Sequence, residues 1–169
     1  MTATGDERRF VVADASPLIG LAAAGAFALL RELYGTVTIT RIVLEEVRAG
    51  GRLPGVEELE AALADGWLRV APAPPETWRY AELDAGEAST IALALESRGE
   101  PLVLMDDLRG RAVAESLGLP VADVPAVLLA AKAAGAIAQV RPHVDRLARR
   151  GFTLPQEAIR ALLAAAGEA

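Results

Sequence analysis

Short apolar, β-branched runs alternate with stretches of helical periodicity, and this alternation limits the fold more than any other feature of the sequence. Phe10-Val-Val-Ala-Asp14 is an apolar run closed by an acid, the profile of a buried strand. Ser16-Pro17 supplies a plausible N-cap and first helical residue, and apolar helical segments then continue to about Leu33. Thr36–Ile39 is β-branched and alternating, a second strand. From Thr40 the pattern turns helical, with Ile42, Val43, Glu46 and Val47 at helical spacing, and Gly50-Gly51 stops it. Gly55–Asp65 reads as an amphipathic helix, Trp67–Ala71 as a third strand and Pro72–Thr77 as a loop. Ala85–Ser97 is a helix, Leu102–Met105 a wholly apolar strand, Asp107–Leu117 a helix and Pro120–Ala122 a short last strand. From Pro125 onward the chain is helical and Ala-rich, broken at Gly135, Pro142, Gly151 and Pro155. Strands separated by helices demand right-handed crossovers, so the expected fold is a three-layer α/β/α unit with a mainly parallel central sheet.

A chain of 169 residues is the size of one such domain. The boundaries expected are a short N-terminal tail (1–9), an α/β domain (10–150) and a C-terminal helical extension (151–169) packed on the same domain. Hydrophobic residues make up 53% of the chain, ample for one continuous core. There is no Cys, which excludes disulfides, thiolate zinc sites and cysteine nucleophiles together. The longest early apolar stretch, Ala15–Leu30, is too short and Ala-rich to span a bilayer, which takes roughly 20 strongly apolar residues. Arg8 and Arg9 precede it as a signal peptide requires, but Asp6, Glu7 and Asp14 spoil that pattern. A cytoplasmic protein with no membrane association is the expectation.

In open parallel sheets, ligands bind beyond the carboxyl ends of the strands, so polar residues placed there carry the most information. Asp14 closes the first strand, and Asp106 and Asp107 follow the strand Leu102–Met105. Glu45 and Glu46 lie early on the helix after the second strand, and Glu87 lies in the first turn of the helix after the third. All fall on one edge of the expected sheet. Carboxylates converging there repel one another unless they are protonated or bridged by a cation. Oxygen donors without His or Cys suit a hard ion, Mg²⁺ or Mn²⁺. Such an ion activates water and holds a phosphate oxygen, the chemistry of phosphodiester hydrolysis.

Each residue also has a structural explanation. Asp84-Ala-Gly-Glu87 matches a capping box, so Glu87 serves a helix terminus, a site, or both. Ser16 and either Asp106 or Asp107 can cap the helices that follow them. Glu45 and Glu46 are adjacent on a helix and cannot point the same way, so one belongs to the solvated face. Asp14 is harder to explain structurally, because an acid closing a Val-Val-Ala strand is costly to bury without a partner. A net charge of −6 argues against nucleic-acid binding. Against that, Lys132 is the one lysine, and the other basic side chains apart from His143 are arginines, which suit bidentate phosphate contacts. A Ser-His-Asp site is excluded, since the sole His143 lies in the helical tail. No Gly-rich phosphate loop is present.

Four segments, Val11-Val-Ala-Asp14-Ala-Ser-Pro-Leu-Ile19, Ile42-Val-Leu-Glu-Glu46-Val, Leu83-Asp-Ala-Gly-Glu87-Ala and Leu102-Val-Leu-Met-Asp106-Asp-Leu-Arg-Gly-Arg111, together resemble PIN domains. The similarity is greatest to the VapC-like branch of bacterial and archaeal toxin ribonucleases with GEA and DDxxGR signatures. It implies a PIN-like fold and a metal-dependent endoribonuclease that cuts single-stranded RNA, acting as the toxin of a toxin–antitoxin pair restrained by a small partner protein. It further implies that Asp14, Glu46, Glu87 and Asp106 are the catalytic acids, with Asp14, Asp106 and Glu87 on Mg²⁺ or Mn²⁺. Ser16 and Asp107 would support them. Arg41, Arg48, Arg109 and Arg111 are the candidates for phosphate contact. Two positions depart from the common PIN pattern: the third acid is Glu87 rather than Asp, and Leu104-Met105 replaces a Thr-containing lead into the fourth. The alternative is a catalytically weak or inactive PIN scaffold that binds RNA or a partner protein. A phospho-acceptor receiver is rejected, because only one acid follows the first strand and the only Lys is in the tail. The haloacid-dehalogenase pattern fails where Ser16 stands. An Ala-rich, apolar helical surface suggests a homodimer.

Overall fold

The structure, a computed structural model, describes residues 9–75 and 82–169. The N-terminal tail apart from Arg9, and the end of the predicted Pro72–Thr77 loop, lie outside these residues. The elements in chain order are β1 (Phe10–Ala13), α1 (Ala15–Ala23), α2 (Leu29–Tyr34), β2 (Val37–Thr40), α3 (Arg41–Ala49), α4 (Val56–Ala64) and β3 (Leu68–Ala71). They continue as α5 (Ala85–Glu96), β4 (Pro101–Leu104), α6 (Leu108–Ser116), β5 (Val121–Ala122), α7 (Val124–Ala133), α8 (Arg141–Arg149) and α9 (Gln156–Ala165).

The strands form one parallel sheet in the order β3-β2-β1-β4-β5. β1 is central: Val12 lies opposite Thr38 of β2 on one side and Val103 of β4 on the other. The chain leaves β1 toward β2, then crosses back to place β4 on the opposite flank. The crevice between the ends of β1 and β4 is therefore the switch point, where open α/β sheets bind their ligands.

Alternation along the strands divides the core into two faces. Val11, Ala13, Leu102 and Leu104 join the larger cluster, with residues of α1, α2, α7, α8 and α9. Val12, Val103 and Met105 join the smaller one, with Ile91 of α5 and Ala114 of α6. Strands buried on both faces need side chains apolar at every position, which accounts for the unbroken Val-Val-Ala and Leu-Val-Leu-Met runs. The layers are the three expected from the sequence.

Some local expectations are corrected. The first helix starts at Ala15 with Asp14 in the N-cap position, so Ser16 lies inside the helix and caps nothing. Pro142 does not interrupt a helix; it sits in the first turn of α8, where a missing N–H breaks no intrahelical bond. The segment after residue 150 is tied to the rest by Glu168. This carboxylate accepts from Lys132 Nζ of α7 at 2.9 Å and from the Val140 and Arg141 backbone N–H groups at 2.8 and 3.1 Å, just before and at the start of α8. These donors hold its pKa down at about 2. Among the described residues no helix is long and apolar enough to cross a membrane.

Candidate active site

Five helices begin with a side chain in the N-cap position at the same edge of the sheet. Four of these side chains cap their own helix. Thr40 accepts from Val43 N–H, Asp84 from Glu87 N–H, Asp107 from Gly110 N–H and Asp123 from Ala126 N–H. Each such bond contributes about 1 kcal/mol. Asp14 is the exception. Its side chain makes no cap bond, it is 2% exposed, and its Oδ1 is buried without a hydrogen-bond partner. Sequence gave grounds to expect a partner for a buried acid here; within the described residues Oδ1 has none.

Two further acids meet it. Glu46 projects from α3 and Asp84 from the start of α5, and a carboxylate oxygen from each of Asp14, Glu46 and Asp84 lies within 4.8 Å of the others. Glu45, its neighbour on α3, is exposed. Gly86 makes the approach of Glu46 feasible: a Cβ there would come 2.5 Å from Glu46 Oε2 and 2.6 Å from Oε1. The Gly86 backbone N–H also partly stabilises the Glu46 carboxylate. Below them Thr40 Oγ1 and Ser89 Oγ are 2.7 Å apart in the core, fastening the end of β2 to α5.

The electrostatics follow from this crowding. Burial, reinforced by the charges of Asp84, Glu46 and Glu87, pushes the Asp14 carboxyl up to about 8, against a smaller opposing effect of the Ala15 backbone N–H. Burial first, and then Asp84, also raises Glu46. A site that forces protons onto its acids in the absence of a counter-charge is one that a divalent cation relieves. The donor set is oxygen-only, which fits Mg²⁺ or Mn²⁺ rather than a soft metal, and Asp14 Oδ1 is a ligand atom with no other bond to lose.

The remaining expected acids are placed differently. Glu87 is buried, and its Oε2 accepts from Asp84 N–H at 3.3 Å, completing a reciprocal capping box. Burial and the nearby charges of Asp84 and Asp107 raise its pKa. It stands beside the cluster on the α6 side, close enough for its charge to act on Asp14 and 3.5 Å from where a Gly110 Cβ would lie. Asp106 is not drawn into the cluster. Its Oδ1 accepts from Val124 N–H at 2.8 Å, and its charged neighbours are Asp123 and Arg111. Burial raises it to about 6. Asp107 caps α6 through Gly110 N–H at 2.9 Å. Ser16 is exposed.

Of the arginines, Arg41 and Arg109 are exposed in the first turns of α3 and α6, on the same edge as the acids. Arg48 is in the last turn of α3, two residues beyond Glu46, but it is committed to Glu60 of α4 through bonds of 2.6 and 3.1 Å. Arg111 donates to Asp123 at 2.9 Å. The residue that the sequence reading did not assign to the site is Asp84. Its capping-box spacing was legible and pointed to a purely local role. A carboxylate has room for about four hydrogen-bond or metal contacts, so capping through one oxygen leaves capacity for a cation.

A search of curated proteins finds none that matches this chain. A family model described as a PIN domain matches residues 10–168. That span begins at the strand that delivers Asp14 and runs through α9 to Glu168, so it takes in both flanks of the switch point and the helices that close over them. PIN domains are generally metal-dependent nucleases that use divalent ions, and the carboxylate cluster here is compatible with such a centre. The match covers almost the entire sequence, and the chain belongs to the PIN-domain family.

Proposed function

We propose that this chain is a metal-dependent endoribonuclease that hydrolyses single-stranded RNA with Mg²⁺ or Mn²⁺. The observation that carries the reading is Asp14: a buried acid with an unpartnered oxygen, in N-cap position yet capping nothing, facing two further carboxylates. Asp14, Glu46 and Asp84 would hold the ion, with Glu87 beside them toward α6 and Asp106 after the neighbouring strand β4. A divalent ion there supplies charge neutralisation for a phosphate oxygen and lowers the pKa of water.

The protein's own contribution is to keep Asp14 at the end of a rigid buried strand and to set Glu46 against Gly86. Fixed placement of this kind keeps the site from reorganising during reaction. Arg41 and Arg109, on the rim, contact the phosphates on either side of the scissile bond. These exposed arginines offset locally the net charge of −6 that disfavours RNA. The Gly86-Glu-Ala and Asp106-Asp-Leu-Arg-Gly-Arg111 segments support a toxin role with a small antitoxin partner in the cytoplasm. The exposed Leu95 and Leu117 support a homodimer.

Purified protein is expected to cleave single-stranded RNA internally when Mn²⁺ or Mg²⁺ is present and to stop when chelator is added. Asp14→Asn is expected to remove the activity. Cleavage that persists in chelator, or in Asp14→Asn, would overturn the assignment.

A further inference from the structure

Asp106 stands apart from the acid cluster because it belongs to a second constellation, with Arg111 of α6 and Asp123 at the start of α7. These three, together with Ser16, line a cleft of about 580 Å³. Its other walls are mainly apolar, contributed by Val124, Leu147, Phe152 and Leu154 among others. Leu53 and Leu108, which also line it, are 50% and 78% exposed, although large apolar side chains are normally covered.

We infer that this cleft seats one nucleobase of the RNA, next to the phosphate held at the acid cluster, and so decides where the chain cuts. The inference rests on the ribonuclease reading and adds a specificity site to it. Its volume falls in the range of small-ligand sites, roughly 300–1,000 Å³, and its make-up is theirs: apolar walls with a few convergent polar groups.

The polar groups select the occupant. Arg111 offers guanidinium donors immediately beside the acceptors Asp106 and Asp123. A base edge carries donors and acceptors side by side and matches the capacity these groups keep beyond their internal bonds, whereas an aliphatic chain would desolvate that capacity and return nothing. A phosphate is disfavoured, because two carboxylates flank the one arginine. Phe152 and the aliphatic walls give apolar contact of the kind against which base faces pack.

The cleft also adjoins the acid cluster. Ser16 lies two residues beyond Asp14, and Asp106 follows β4, whose Leu104 carbonyl accepts from Asp14 N–H at 3.0 Å. The cleft therefore begins where the acid cluster ends, within reach of a nucleotide attached to the bound phosphate. Gly20 keeps this junction open. A Cβ on it would come 3.1 Å from Val124 Cγ2 and 3.7 Å from Asp106 Oδ2.

The test uses two variants of the full chain, Ala158→Trp, which fills the cleft from α9, and Arg111→Gln, which removes the charged donor. Cleavage rates are compared, in Mn²⁺, on short RNAs that differ in a single base beside the scissile bond. Mn²⁺ binding is measured in parallel by calorimetry. The wild-type chain is expected to prefer one base at least tenfold. Ala158→Trp should raise KM and flatten that preference, and Arg111→Gln should shift it to another base, with Mn²⁺ affinity unchanged in both. Wild-type preference retained by both variants would overturn the nucleobase site while leaving the ribonuclease intact, and would hand the cleft to a different occupant such as a partner protein. Failure of the wild-type chain to cleave any RNA would instead overturn the ribonuclease reading, and this inference with it.

Discussion

The ends of β1 and β4 are neighbours in one sheet, and each is followed closely by an aspartate on the same edge. Among the described residues nothing bonds Asp14 Oδ1, and its pKa rises to about 8. Asp106 is half-buried, Val124 N–H takes its Oδ1 and Arg111 stands near, and it rises only to about 6. Burial is the leading cause in both. Each carboxylate has a backbone donor, Ala15 N–H for Asp14 and Val124 N–H for Asp106, so the difference lies in the neighbouring charges: three carboxylates around Asp14, one carboxylate and one guanidinium around Asp106. Two acids alike in sequence context thereby differ in state, one with an oxygen that no described group bonds, the other paired inside the protein.

The sharpest way to break this comparison is to remove each charge in turn. Asp14→Asn is expected to lower RNA cleavage at least 10³-fold, whereas Asp106→Asn, which keeps an acceptor for Val124 N–H, should lower it by about 10-fold. Equal losses measured as kcat/KM would show that the two acids act as one set.

Acidity gives the next largest effect. Asp14 is protonated in the folded metal-free state up to about pH 8 but ionises near its ordinary value, 3.8, once unfolded. The folded form thus binds more protons between these limits, so in chelator stability falls as pH rises from about 4 to about 8. Asp106 adds the same sign up to about pH 6. Mn²⁺ competes with those protons and should raise the melting temperature more at pH 8 than at pH 5. A metal-induced shift that is greater at pH 5, read by thermal denaturation, would contradict the electrostatic account of the cluster.

A smaller effect separates Asp84 from Glu87. Asp84→Ser keeps an N-cap hydroxyl but loses the carboxylate, and Glu87→Gln keeps the reciprocal capping bond but loses its charge. Calorimetric Mn²⁺ affinity should fall about 10-fold or more in Asp84→Ser and less than about 3-fold in Glu87→Gln. The reverse order would make Glu87 the ligand and Asp84 only a cap. Smallest of all, Asp123→Asn retains the bond to Ala126 N–H while weakening the pair with Arg111, whose two side chains are 31% and 23% exposed. Stability measured by denaturant should change by less than about 1 kcal/mol, and a larger loss would mean that the β4 end depends on this pair.

The alternation of apolar runs and helical periods was enough to place the strands, the parallel sheet and its layers, because burial on both faces leaves a plain trace in consecutive residues. Boundaries were legible to within a residue or two: the second strand is Val37–Thr40 rather than Thr36–Ile39, and α1 starts one residue before Ser16. Asp14 and Glu46 were legible as members of the acid cluster, the first from the cost of burying a charge at the end of an apolar strand, the second from its resemblance to the PIN pattern. Asp84 was legible only as a cap. Its local motif is complete within four residues, and nothing in that motif records the arrival of Glu46, thirty-eight positions earlier in the chain. The glycine of Gly86-Glu-Ala was equally opaque, since the carboxylate that needs its missing Cβ comes from another helix.

Sequence by itself therefore determined which segments form strands and helices and which edge of the sheet collects the acids, because those follow from periodicity and from the handedness of crossovers. Which acids meet was decided by the tertiary structure. The order β3-β2-β1-β4-β5 brings α3 and α5 together over the end of β1 and sends α6 and α7 to the other side of the switch point. Carboxylates interact over a few ångströms, and that distance is set by packing between elements rather than by spacing along the chain.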